Sequence, residues 1–279
     1  MLTNILFYLC FLLQLWLISF YYARIVRERM QYVTTNFPPE QFPKLYVKPK
    51  ESYQAGQQRF TLLNQAVFSI GIGVLIYLAW REYSTGLAPF DVAAGLMFML
   101  QMLPFALLEF AEYSYYKEMR KQHLGAIRTG SLTRRSIFQF VSTSTVMLAA
   151  GLIALSIAVD VTALLSVDRS PIGKVINTIV TNTFLFLLVW RLVYGKKADP
   201  NLSNDDHARH VQLTVQTLFY ISISVSVFFI LKQCVDSFTN GNYNPLLTSA
   251  YSVFIGYIAI GTRIRCTKVE SLNFDGYKA

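Results

Sequence analysis

The sequence predicts an all-α polytopic integral membrane protein, a bundle of about seven transmembrane helices with the N-terminus outside and the C-terminus cytoplasmic. Composition is the first observation: 53% of residues are hydrophobic and 15% charged, with a mean hydropathy of +0.38, poor material for a water-facing surface. The second is a series of apolar stretches, each near the ~20 residues that a helix rising about 1.5 Å per residue needs to cross about 30 Å of hydrocarbon. The third is charge sorting, for 21 of the 25 Lys and Arg fall in alternate connections between those stretches.

Span one is expected over 4–22. Cys10 follows an apolar run, but no basic residue precedes it and the run continues through Phe20, so an uncleaved helix is expected instead of a lipoprotein cleavage site. The connection 23–60 is basic, with Arg24, Arg27, Arg29, Lys44, Lys48, Lys50 and Arg59, and it holds Pro38, Pro39, Pro43 and Pro49. Prolines at that density argue against regular helix, so an extended linker pressed against the helix ends is expected. Its Phe37, Phe42, Leu45, Tyr46 and Val47 alternate with lysines, a composition suited to anionic headgroups.

Span two is expected over 61–80 and span three over 90–110, with the strong helix formers from Glu109 to Lys121 prolonging span three into the cytoplasm. The next connection carries Lys117, Arg120, Lys121, Arg128, Arg134 and Arg135. Span four, 137–159, places Ser142 to Thr145 on its inner half. Ala150, Ala154 and Ala158 recur on its outer half at a spacing that lets helices approach closely, and Asp160 is expected as a solvated interfacial residue.

Span five is expected over 172–193, with Arg191, Lys196, Lys197 and Arg209 around and beyond its end. After Gly195 and Pro200, Ser203 with Asp206 three residues on reads as a capping-box-like start for a helix leading into span six, 213–232. Span seven, 246–262, is the shortest and is followed by Arg263, Arg265, Lys268 and Lys278. The opposite side carries only Arg81, Arg169, Lys174 and Lys232, which by the positive-inside rule is the outside. Tyr21 and Tyr22, Trp80 and Tyr83, Tyr113 to Tyr116, and Trp190 with Tyr194 fall near span ends, where amphipathic rings sit among headgroups.

The net charge of +9 therefore reads as an orientation and lipid-contact signal, with anionic headgroups at the cytoplasmic face as the partner and nucleic acid excluded. Three cysteines, divided between two sides, make no disulfide framework.

Polar residues inside the spans mark candidate chemistry, because an unpaired amide or charge is costly in hydrocarbon. Lys174, Asn177, Thr178, Thr181 and Asn182 recur at helical spacing on span five and predict one polar face. Gln101, Phe105 and Glu109 share a face of span three, with Pro104 beside them as a kink site. A polar cavity lined by Gln101, Glu109, Lys174, Asn177, Thr178, Thr181 and Asn182 is the candidate site, set against interhelical hydrogen bonding as the plainer role for the same residues.

His207 and His210 stand beside Asp205 and Asp206, but with Arg209 between them the cluster fits a charged helix N-terminus better than a metal site. His123, the third histidine, is also on the cytoplasmic side. The sequence has no P-loop, no GxSxG, no lysine in span seven for a Schiff base and no intramembrane histidine, so neither catalytic residues nor a cofactor or metal is expected.

Two functions fit. One is a transporter or channel for a small solute or ion. The other is a non-catalytic subunit or assembly factor holding membrane-protein partners. If span one is peripheral, spans two to four and five to seven form two oppositely oriented triplets, the arrangement of inverted-repeat transporters; yet span three has Pro104 while its counterpart, span six, has neither Gly nor Pro. The one glycosylation sequon, Asn201-Leu202-Ser203, falls on the cytoplasmic side, which fits a bacterial cytoplasmic (inner) membrane.

Overall fold

The computed structural model describes residues 2–86, 89, 91–122, 136–166, 172–195, 199, 201–239, 241–266 and 269–278. His123, Arg128, Arg134, Arg135, Arg169, Lys196, Lys197, Pro200 and Lys268 lie outside the described residues. All regular structure among the described residues is helical, and seven helices are long and apolar enough to cross a membrane. They are α1 (Thr3–Asn36), α2 (Lys50–Thr85), α3 (Asp91–Gln122), α4 (Thr143–Ser166), α5 (Ile172–Tyr194), α6 (Asn204–Thr239) and α7 (Asn244–Cys266).

Large apolar side chains cover their outward faces, among them Leu62, Ile76, Leu96, Met99, Met147, Ile176 and Phe184. An apolar surface of that extent needs lipid, and the architecture is that of a multi-pass integral membrane protein. Ties between helix ends set α1 antiparallel to α2 and α5 antiparallel to α6. Asn4 at the start of α1 donates to Glu82 at the end of α2 at 2.6 Å, and Lys174 at the start of α5 donates to Gln233 near the end of α6 at 2.7 Å. The ends of α1, α3, α5 and α7 define one side of the bundle, the basic side.

Two expected segments differ, the connection 23–60 and span four. The connection 23–60 is mostly helix: α1 continues to Asn36 and α2 begins at Lys50, so only 37–49 is irregular, and all four prolines lie within it. The proline argument held for those residues and not for their flanks, which carry Arg, Glu, Met and Gln instead. Span four starts at Thr143, not 137, because Ser142 caps it: its Oγ accepts from the Thr145 amide at 3.3 Å. The helix runs on to Ser166, well past the expected end.

Helices of 32 and 36 residues are about 48 and 54 Å long at 1.5 Å per residue, so α2, α3 and α6 outrun any hydrocarbon core. Their surplus, with the end of α1, forms a helical layer on the basic side. Ser203 starts α6, its Oγ accepting from the Asp206 amide at 3.0 Å and donating to the Asp206 carboxylate at 2.8 Å.

The seven helices divide into two packed groups. The first contains α1, α2, α3 and α7; the second contains α4, α5 and α6; α6 packs against α7 to join them. Helix α1 is central, not peripheral: Phe7, Phe11, Leu15 and Ile18 are wholly buried against α2, α3 and α7. That placement removes the premise of two triplets flanking a loose first helix. Both α1 and α7 relax to π-helical geometry, over Trp16–Tyr22 and Tyr257–Gly261, with Gly256 against Ile18 and Gly261 against Tyr22.

Candidate functional site

Buried polar side chains concentrate where α4, α5 and α6 meet. On α5 the inward line is Thr178, Asn182, Leu185, Val189 and Val193, all buried. At 3.6 residues per turn the centre of that line lies about 120° round the helix from Asn177. Asn177 is accordingly exposed, Thr181 half-buried, and Lys174 exposed at the end of the helix. The expected single face is thus too wide, and only Thr178 and Asn182 of it reach the interior.

What they reach is a column of hydrogen bonds. The Thr178 hydroxyl donates to Asp160 Oδ2 at 3.3 Å, and Asn182 Nδ2 donates to the Thr178 carbonyl at 3.0 Å. From α6, the Ser222 hydroxyl donates to Asn182 Oδ1 at 2.6 Å, and Ser226, one turn on, donates to the Ser222 carbonyl at 3.0 Å. Ser156, one turn before Asp160 on α4, is 1% exposed and its Oγ has no hydrogen-bond partner. Above the column, Lys174 Nζ meets Asp236 Oδ2 at 2.8 Å, and the other Asp236 oxygen accepts from Asn244 at the start of α7.

Asp160 is the main departure from expectation. It was expected to be solvated and is 2% exposed. The later end of α4 explains this, because Asp160 stands more than a turn inside the helix instead of just beyond it. The ionised form of a carboxyl in such surroundings is costly unless a proton or a cation accompanies it. Among the described residues Lys174 is near enough to act on Asp160, but its ammonium is hydrogen-bonded to Asp236 and Gln233.

Gln101 and Glu109 belong elsewhere. Gln101 is fully buried between α1 and α3, where Gln14 Nε2 donates to its Oε1 at 2.8 Å and its own Nε2 donates to Ser19 Oγ at 2.9 Å. Glu109 is exposed on the basic side, 2.8 Å from Arg263, which also lies 3.3 Å from His210 Nε2. The expected cavity is therefore divided: Gln101 lies between α1 and α3, Glu109 lies on the basic side, Thr178 and Asn182 lie in the column with Lys174 above it, and Asn177 and Thr181 join none of these. Gln14, Ser156, Ser222, Ser226 and Asp236 were not singled out from the sequence. The serines were legible in principle: Ser222 and Ser226 stand one turn apart, and polar residues at that spacing in an apolar run mark an inward face.

The chain matches no family model, and neither a curated protein nor a solved structure is significantly similar to it.

Proposed function

We propose that the protein is an ion or small-solute transporter in which Asp160 binds the coupled proton or cation. The observation that carries this reading is a carboxyl held at 2% exposure against the Thr178 hydroxyl, at the head of a column of hydroxyls and an amide, with the nearby lysine engaged by another acid. Intramembrane carboxyls are expensive to keep and serve as ion sites or proton relays by default. The hydroxyls of Thr178 and Ser222 and the amide of Asn182 continue the polar path toward the basic side, and the Lys174–Asp236 pair closes its other end. The charge bias of the connections supports an orientation with the N-terminus outside and the basic side cytoplasmic, and a bacterial inner membrane as the location.

Proteoliposomes with a pH-sensitive dye inside and an imposed potassium-valinomycin potential test it, with a sodium-flux arm in parallel. The wild type is expected to pass protons or sodium, Asp160→Asn to lose at least about 90% of that flux, and Asp160→Glu to retain part of it. Asn182→Leu is expected to lower flux and Asn177→Leu to leave it unchanged, since only Asn182 faces the column. Equal flux in Asp160→Asn at equal incorporation overturns the reading. No flux in the wild type, with other membrane proteins retained after mild extraction, would instead favour the subunit role, for which Ala150, Gly151, Ala154 and Ala158 form an exposed close-approach stripe on α4.

A further inference from the structure

Where α1 and α2 leave their apolar stretches, the helices part. Between them lies a cleft of about 740 Å³ whose walls include Arg27, Gln31, Gln54, Gln57, Gln58 and Thr61. A second recess of about 240 Å³ shares Arg27 and Thr61 and continues toward the membrane, to Asn64 and Ser19.

The charges facing this space do not balance. Arg24 is paired with Glu28 at 2.7 Å, whereas Arg27 makes no ion pair among the described residues and its buried Nε has no hydrogen-bond partner. Asn64 is 2% exposed; its amide nitrogen donates to the Phe60 carbonyl at 2.9 Å, and its Oδ1 has no partner. Arg27 thus lines the space with a charge that is always present and unmatched, and apart from it and the Arg24–Glu28 pair the polar lining is uncharged amides and hydroxyls. A single excess positive charge suits a monoanion, and a guanidinium suits the oxygens of a phosphate ester.

The level of the cleft selects the source of that ester. It spans residues 19–35 of α1 and 54–65 of α2, straddling the ends of the two apolar stretches at 22 and 61. Phe20 and Leu62, both exposed, stand on its membrane side, where acyl chains would lie. Headgroups occupy that level, and anionic ones concentrate on the leaflet that basic connections face. We propose that the cleft binds the headgroup of an anionic phospholipid, its phosphodiester on Arg27 and its hydroxyls on the surrounding amides.

The test uses the full chain in mild detergent, with retained phosphatidylglycerol counted by native mass spectrometry against excess phosphatidylcholine. Wild type is expected to retain phosphatidylglycerol. Arg27→Gln should weaken retention about tenfold or more, Arg27→Lys less, and Arg59→Gln, an exposed residue of α2 that does not line the cleft, not at all. Gln57→Glu keeps Arg27 and supplies a competing carboxylate, so it should also lose the lipid, and it decides the matter if Arg27→Gln elutes as misfolded protein. Retention unchanged in both Arg27→Gln and Gln57→Glu overturns the site. Displacement of the lipid by excess inorganic phosphate overturns the lipid assignment in favour of a free phosphate.

Discussion

Two glutamines show how much one side chain decides in this bundle. Gln14 and Gln101 are each fully buried and joined by one bond, Gln14 Nε2 donating to Gln101 Oε1, so replacing Gln14 leaves that oxygen without its donor in apolar surroundings. Interhelical hydrogen bonds in membranes are worth about 0.6 kcal/mol on average and at most about 1.7 kcal/mol. Gln101→Leu and Gln14→Leu should therefore each cost about 1 kcal/mol of unfolding free energy, and the double variant less than their sum, because the second substitution removes the group that the first left unpaired. Reversible unfolding in mixed micelles measures the cycle; strict additivity would mean that the two amides do not depend on each other. Gln101 was legible from sequence as a lone amide in an apolar run. Gln14 is just as buried and an equally lone amide in an apolar run, so it carried the same signal; that the two face each other was not legible, because no single sequence displays which helices pack together. Asp160 was legible as a residue and wrong in its environment, because its burial depends on where α4 ends, and helix ends are the part of a span that apolar length specifies least.

At the scale of elements, the spans were legible because apolar length is a strong signal, while the way they pack was not, since outward and inward faces of a membrane helix are both apolar. Small residues carry the packing information instead, and their neighbours determine what each is worth. A Cβ on Gly71 of α2 would come within 2.2 Å of Leu15 Cδ2, the far end of a flexible side chain. One on Gly261 of α7 would meet the Tyr22 hydroxyl oxygen at 2.5 Å, the same ring's Cζ at 3.1 Å and Tyr257 Cδ2 at 3.3 Å. Leucine changes rotamer and two aromatic rings do not yield together, so Gly261→Ala should destabilise by about 1–3 kcal/mol and Gly71→Ala by clearly less. Thermal unfolding of the two variants in one detergent ranks them. The reverse order would show that the α1–α7 seam at its π-helical segments is looser than its contacts imply.

Across the whole molecule, the two helix groups are held together on the basic side by chain that crosses no membrane. The segment 37–49 and the tail 269–278 pack on each other and on the end of α3, burying Phe42, Met119 and Tyr277, with Phe37 stacked on Phe274 at 3.9 Å between ring centres. The tail then reaches the connection between α5 and α6 of the second group. The Tyr277 hydroxyl donates to Asp199, whose other oxygen accepts from the Asn201 amide at 2.9 Å, and a Cβ on Gly276 would meet the Asn201 carbonyl oxygen at 2.4 Å. Burial, together with the neighbouring Asp199 carboxylate, pushes the Tyr277 phenol well above its ordinary value. A phenol whose folded pKa is raised contributes stability that is complete below the unfolded value near 10 and is lost as pH rises beyond it. Tyr277→Phe removes a donor to a buried carboxylate, which costs about 1.5–3 kcal/mol and corresponds to roughly tenfold or more in local opening. Limited proteolysis at neutral pH should then cut within 37–49 roughly ten times faster in Tyr277→Phe than in wild type. The wild type should converge on the variant's rate as the pH is raised above about 10, while the variant's own rate changes less. Equal cleavage of the two proteins at neutral pH would mean that Phe37, Phe42 and Phe274 hold the tail unaided and that the hydroxyl is incidental to joining the two groups.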